Sequence, residues 1–409
     1  MDQRRFSKLL ACAAVLGVTV GLVATGFRVA WLAAKHALWH TFEATYWRIP
    51  VSVAAGVLIG TILYKTYYPG ALAALVRQFH DEGSVPLAEN VPTVPVGFIG
   101  LIAGQNAGPE GVMSVVGGSF GTQAAETFGM PNAEKLLTLA GMGAGFGAIL
   151  GAPIGGALLW LELPHERGLE YYEAIIPTFV ASFAGYLTEA ALGGFHLFPT
   201  WHVSAVAPIS GGQLVAAAAV AVVTIPFGAL YTTIFDTVGR LFNRWSPAIY
   251  VRTTVAGLGI GLLGYALPLT YFYGGSKMNQ LVGTDLGLGV LVATLLGTMV
   301  AAAFTINGNW IGGLIVPHMF MGAVLGLAAS MVVPALPPIL SMLAGMAAFN
   351  AVVTGTPLSS ALIAIALTDG ASITPVFLAA LVGFVGSPLV GFLQTAAPRR
   401  EPPNFHVGD

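Results

Sequence analysis

Glu110 is a carboxylate in a costly place. It lies in GQNAGPEGVMSVVGG (Gly104–Gly118), among five glycines and one proline, and the nearest basic residues in sequence are Arg77 and Lys135. Only 8% of the 409 residues are charged and 56% are apolar, whereas soluble domains carry about 25% charged residues. A chain this poor in charge could not cover a water-facing surface, so it reads as membrane-embedded. An ionisable group at membrane depth is a functional candidate by default. Helix N-termini favour its charged form and burial its neutral one, which is the competition a proton switch needs.

The loop that carries Glu110 occurs twice. LAGMGAGFGAILGAPIGGAL (Leu139–Leu158) and LAGMAAFNAVVTGTPLSSAL (Leu343–Leu362) align without a gap at an offset of 204, with nine identities in twenty positions, Gly151/Gly355 and Pro153/Pro357 among them. At that offset the opening stretch meets GNWIGGLIVPHMFMG (Gly308–Gly322): Gly108 falls on Gly312, Val112 on Val316 and Glu110 on Leu314. Each loop is glycine-rich and is followed by an apolar helical run. Helix N-termini carry unpaired N–H groups and about half a positive charge. Glycine lets a small anion approach that backbone closely. The expected ligand is therefore an anion held by backbone at Gly108, Pro109, Glu110, Gly111 and Val112 and at Gly312, Gly313, Leu314, Ile315 and Val316, with almost no basic side chain required.

The elements that must position these loops are apolar runs of awkward length. They fall at Leu9–Leu32 (interrupted by Arg28), Pro50–Tyr64, Val94–Ala103, Leu136–Leu163, Ala174–Tyr186, Ser210–Phe235, Thr253–Phe272, Leu286–Thr305, Ile311–Val333, Ile339–Leu367 and Ile373–Leu393, with Thr66–Asn90 mixed and partly interfacial. A spanning helix needs about 20 apolar residues. Some runs are near half that, and others are cut by Gly-Pro pairs, which suggests broken helices around a polar cavity. The 53 glycines fit either that irregular backbone or close helix packing. A single transmembrane domain over residues 1–409 is expected, with halves at 10–205 and 206–395 and a cytoplasmic tail at 396–409. Arg4, Arg5 and Lys8, then Arg240, Arg244 and Arg252, then Arg399 and Arg400 form the basic clusters. By the positive-inside rule they place both termini in the cytoplasm. The net charge of −2 offers no surface for nucleic acid. With Cys12 the only cysteine and the histidines scattered, no metal-ligand spacing and no cofactor is expected.

At these residues the sequence resembles the CLC family of chloride channels and chloride/proton antiporters. GPEGV (Gly108–Val112) is similar to the family's first-half glutamate loop, GGLIVP (Gly312–Pro317) to its second-half loop, GAPIGG (Gly151–Gly156) to its Asn-Ala-Pro helix start, and LTDG (Leu367–Gly370) to its Met-Thr-Asp. The resemblance covers about residues 10–390. It implies an all-α polytopic membrane protein built as an inverted repeat of broken, tilted helices, a homodimer with one anion path per subunit, and transport of a small inorganic anion, chloride first. It assigns Glu110 as the gate and, in an antiporter, as the proton carrier. It puts the backbone of Leu314 and Ile315 at the anion. There are departures. Pro109 replaces the family's basic residue and Val112 its proline. KTYYPGALA (Lys65–Ala73) lacks the family's serine, no tyrosine lies near Ala397, the antiporters' internal glutamate position falls on Leu163, and no C-terminal regulatory domain is expected.

Four other side chains are secondary candidates. Glu162 reads as an interfacial glutamate at a helix end, with a proton relay as the alternative. His318 titrates near neutral pH when exposed, and otherwise reads as a packing residue. Tyr67 and Tyr68 are interface aromatics, or a substitute for the missing serine hydroxyl. The run Pro164–Glu173 reads as a solvated loop and Asp369 as a helix-end or turn residue. A nucleophile–base pair is not evident, so the chain is not read as an enzyme. A passive anion channel, a transport-inactive structural homologue and an organic-anion transporter remain the alternatives.

Overall fold

The computed structural model describes residues 3–67, 72–164, 172–193, 201, 203, 209–245, 247–283, 286–368, 370 and 372–392. In chain order the helices of the first half are α1 (Gln3–Thr41), α2 (Arg48–Lys65), α3 (Leu72–Glu82), α4 (Leu87–Asn90), α5 (Thr93–Ile102), α6 (Pro109–Thr127), α7 (Glu134–Leu150), α8 (Pro153–Glu162) and α9 (Tyr172–Gly193). Those of the second are α10 (Gly211–Trp245), α11 (Ile249–Ala266), α12 (Met278–Gly283), α13 (Leu288–Asn307), α14 (Ile315–Val332), α15 (Pro338–Thr354), α16 (Pro357–Leu367) and α17 (Ile373–Val390). Among the described residues, nine helical segments are long and apolar enough to cross a membrane. The fold is an all-α polytopic membrane fold.

The breaks fall where local chemistry puts them. The apolar run Leu136–Leu163 is two helices. Gly151 ends α7 at φ 65° and ψ 26°, and Pro153 opens α8. The run Ile339–Leu367 divides the same way, with Gly355 at φ 64° and ψ 29° and Pro357 opening α16. A left-handed residue closes a helix most cheaply as glycine, and proline suits the first helical position because its missing N–H has no helical partner there. α7 and α15 are buried along most of their length. α7 lies between α6 and α9, and α15 between α14 and α17.

Three expectations are corrected. The glycine-rich stretch after Glu110 is helical: α6 runs from Pro109 to Thr127, so Glu110 stands in a first helical turn rather than in a loop. Its glycines serve packing, since a Cβ on Gly117 would collide with the Gly141 carbonyl of α7 and one on Gly141 with that of Gly117. α1 extends through Arg28 to Thr41 because that guanidinium is ion-paired with Glu189 of α9 inside the protein. α10 continues ten residues past Phe235, carrying Asp236, Arg240 and Arg244 beyond the apolar run.

Candidate functional site: a carboxylate on a helix N-terminus

The two glycine loops meet. Gly108 N–H donates to Gly313 O (2.7 Å) and Gly313 N–H to Gly108 O (2.9 Å), forming an isolated antiparallel bridge between the halves. The contact is close. A Cβ on Gly111 would lie 2.7 Å from the Gly312 carbonyl carbon, and one on Gly313 would lie 2.6 Å from Glu110 Oε1. No larger residue fits either place without moving a backbone or the carboxylate. Gly108 caps α6 in an extended conformation, Pro109 occupies its first position, and Glu110 follows.

The Glu110 side chain turns from its own helix to the start of α14. Val316 N–H donates to Glu110 Oε1 at 3.4 Å. The N–H groups of Ile315 and of Glu110 itself also face the carboxylate. The residue is 1% exposed, and Oε2 is buried with no hydrogen-bond partner. A carboxylate thus stands where a helix N-terminus would receive any small anion. The α14 amides that face it belong to Ile315 and Val316; Leu314 is the N-cap one residue earlier.

Two carboxamides brace this arrangement, and sequence reasoning passed over both. Gln105 Nε2 donates to Ala107 O (3.0 Å) and to Ile311 O (3.1 Å), tying one loop to the other. Asn106 Nδ2 donates to Thr270 O (3.0 Å) and Phe272 O (2.9 Å), and its N–H to Thr305 Oγ1 (3.1 Å). The Phe272 N–H donates to Gly104 O (3.1 Å). The Tyr271 hydroxyl donates to Ala103 O (2.9 Å) and meets Ser52 Oγ at 3.0 Å. Two adjacent carboxamides in an apolar run were the available signal, because a buried amide has to be hydrogen-bonded.

The secondary candidates scatter. Glu162 stands at the end of α8, as expected, but is turned into the protein. It is 5% exposed and caps α16 of the other half: Oε1 accepts from Leu358 N–H (3.0 Å), and Oε2 from Ser359 N–H (2.8 Å) and Ser359 Oγ (2.7 Å). His318 is buried in an aromatic cage, its Nε2 3.3 Å from the Tyr231 hydroxyl, with Phe349 and Phe392 around the ring. The packing reading describes that environment. Tyr67 is 42% exposed and donates to Ala88 O at 2.9 Å; it does not reach the Glu110 site. Tyr68, Asp369, Ala397 and residues 165–171 of the Pro164–Glu173 run lie outside the described residues. No cluster of three metal-ligating side chains occurs among the described residues.

Residues 76–387 match the family described as "Voltage gated chloride channel". The chain belongs to that family, the CLC family. Membership makes it a membrane protein of anion transport, in a family of channels and transporters rather than enzymes. A chloride/fluoride channel protein of Pseudomonas syringae pv. tomato is 26% identical over 379 residues, covering 88% of this chain and 80% of that one. Two solved structures share the fold. A CLC-type fluoride/proton antiporter superposes with a TM-score of 0.83 at 19% identity, over 95% of this chain and 97% of the other. A slow cyanobacterial Cl−/H+ antiporter superposes with a TM-score of 0.82 at 20% identity, over 94% and 95%.

Proposed function

We propose that this chain carries chloride or another small inorganic anion across the membrane past Glu110, and that Glu110 gates the path by exchanging places with the anion. The observation that carries this reading is the seat of the Glu110 carboxylate on the N–H groups at the start of α14, with one oxygen unpartnered. While the carboxylate is charged it fills the anion position. Protonation removes the charge that the N–H groups attract, so the side chain leaves and an anion enters. The proton bound at that moment is available to be carried the other way. Flux therefore rises as pH falls. Glu110→Gln keeps the shape and removes the titration, so its flux becomes independent of pH; a Glu110→Gln protein with the pH profile of the wild type would remove Glu110 from this role.

A second reading has fluoride as the ion. The Pseudomonas syringae relative and one solved neighbour carry fluoride in their names, and this seat is built of N–H groups, which suit a small hard anion. Parallel fluoride and chloride efflux from liposomes decides between the two. The protein works as a homodimer with both termini cytoplasmic, as two halves at 10–205 and 206–395. The matched breaks at Gly151 and Gly355 and the bridge between the loops support the duplication. The basic residues near both ends support the orientation. Crosslinking in native membranes and protease protection of tagged termini test these two points.

A further inference from the structure

Three cations lie on or beside one aromatic segment, Tyr271–Tyr273, and among the described residues none of them is ion-paired with a carboxylate. Lys35 Nζ sits over the Phe272 ring, 3.9 Å from its centroid. The Arg48 guanidinium lies over the Tyr271 ring at 5.3 Å, with Nη1 donating to Gly264 O at 2.6 Å. Lys277 ends the helical turn Gly275–Lys277, five residues beyond Phe272 on the same segment. All three are partly exposed. Glu43, between α1 and α2, is exposed.

The position makes the cluster harder to dismiss as solvation. Lys35 stands 27 residues beyond Lys8 on the same helix, which is about 40 Å at 1.5 Å per residue and close to the full thickness of a bilayer with its headgroups. The cluster therefore faces the side opposite Arg4, Arg5 and Lys8, where basic residues are disfavoured if the termini are cytoplasmic. Arg48 is also the first residue of α2, and a cation at a helix N-terminus is repelled by the helix's own N–H groups. Three such charges call for an anion from outside. The aromatic segment beneath them leads inward. Tyr271 and Phe272 carry Arg48 and Lys35, and Phe272 is hydrogen-bonded to Gly104 and Asn106 of the segment that leads to Glu110.

We infer that Lys35, Arg48 and Lys277 form an outer capture site for a small inorganic anion, one step ahead of the Glu110 seat. The inference rests on the reading of Glu110 as the transport seat. Clustered charge over low-dielectric walls raises the local counter-ion concentration and the entry rate, and the ring faces of Phe272 and Tyr271 attract the cations that lie on them.

Two measurements test it. Crystals of the wild type grown in bromide should show an anomalous peak in contact with Lys35, Arg48 and Lys277. That peak should persist in Glu110→Gln and be lost in K35Q/K277Q, which leaves the Arg48–Gly264 hydrogen bond intact. In liposomes of neutral lipid, K35Q/K277Q should raise the half-saturating anion concentration on that face about three- to tenfold and flatten the dependence of flux on ionic strength. Absence of bromide at the three cations, a lipid phosphate in its place, or an unchanged half-saturating concentration in K35Q/K277Q overturns the capture site. Should the wild type move no anion at all, the transport reading fails, and the bromide map still decides whether the outer site exists.

Discussion

Glu110 and Glu162 are the same construction held with different tightness. Each is a carboxylate of the first half, buried, and set on the N-terminus of a helix from the second half. At the 204-residue offset their counterparts are the apolar Leu314 and Ala366, so in both places one half brings the charge and the other the N–H groups. Glu162 is bonded through both oxygens, at 2.7 to 3.0 Å. Glu110 has a long contact of 3.4 Å from Val316 N–H, and its second oxygen is buried with no partner. A carboxylate with short bonds to both oxygens fastens two helices. A carboxylate with an unsatisfied buried oxygen gains less by staying, and so can be displaced by a competing anion. Two helix N-termini each hold a carboxylate, and on the function proposed above the bonding geometry separates the fixed occupant, Glu162, from the mobile one, Glu110.

The largest effect expected from that contrast is on stability. Glu162→Ala strips the cap from α16 and leaves buried N–H groups unpaired, at a cost of about 3 kcal/mol. Glu110→Ala removes a poorly satisfied buried carboxylate and costs less than about 1 kcal/mol, or stabilises. Thermal unfolding of the two variants in detergent compares them directly, and the reverse ranking would break the contrast. Gly313→Ala comes next. Its Cβ would crowd the Glu110 carboxylate, so it should cost about 2 kcal/mol, with the loss relieved in a Glu110→Ala background. A cost equal in both backgrounds would mean that the loop bridge, not the carboxylate, is what the glycine accommodates. Ser359→Ala removes one of the donors to Glu162 and leaves its two N–H bonds, for about 1 kcal/mol. The smallest effect is at Tyr67, exposed and remote from both seats: Tyr67→Phe should change stability by less than about 0.5 kcal/mol and leave anion flux as it is.

Much of this was legible in the sequence because it depends on local chemistry. The Gly-Pro breaks at Gly151–Pro153 and Gly355–Pro357 follow from backbone conformation alone, and the two glycine loops from their spacing in the repeat. What was not legible depends on partners far away in the chain. Glu162 reads as a helix-end glutamate until Ser359, 197 residues later, supplies its cap. Arg28 reads as an interruption of α1 until Glu189 pairs with it. The glycines after Glu110 suggest irregular backbone, yet they lie in a helix pressed against α7, because a glycine kept for close approach and one kept for a turn look identical in sequence. The bracing by Gln105 and Asn106 reaches carbonyls of segments that sequence order does not place nearby.

The most direct test of the mobile carboxylate is a paired recording of anion efflux and internal pH in chloride-loaded liposomes, on wild type and Glu110→Gln. The expected result is that wild-type efflux acidifies the interior and quickens as external pH falls, while Glu110→Gln releases chloride with no change of internal pH and at a rate indifferent to pH. A Glu110→Gln protein that still drives protons inward, or keeps the pH dependence of the wild type, contradicts it.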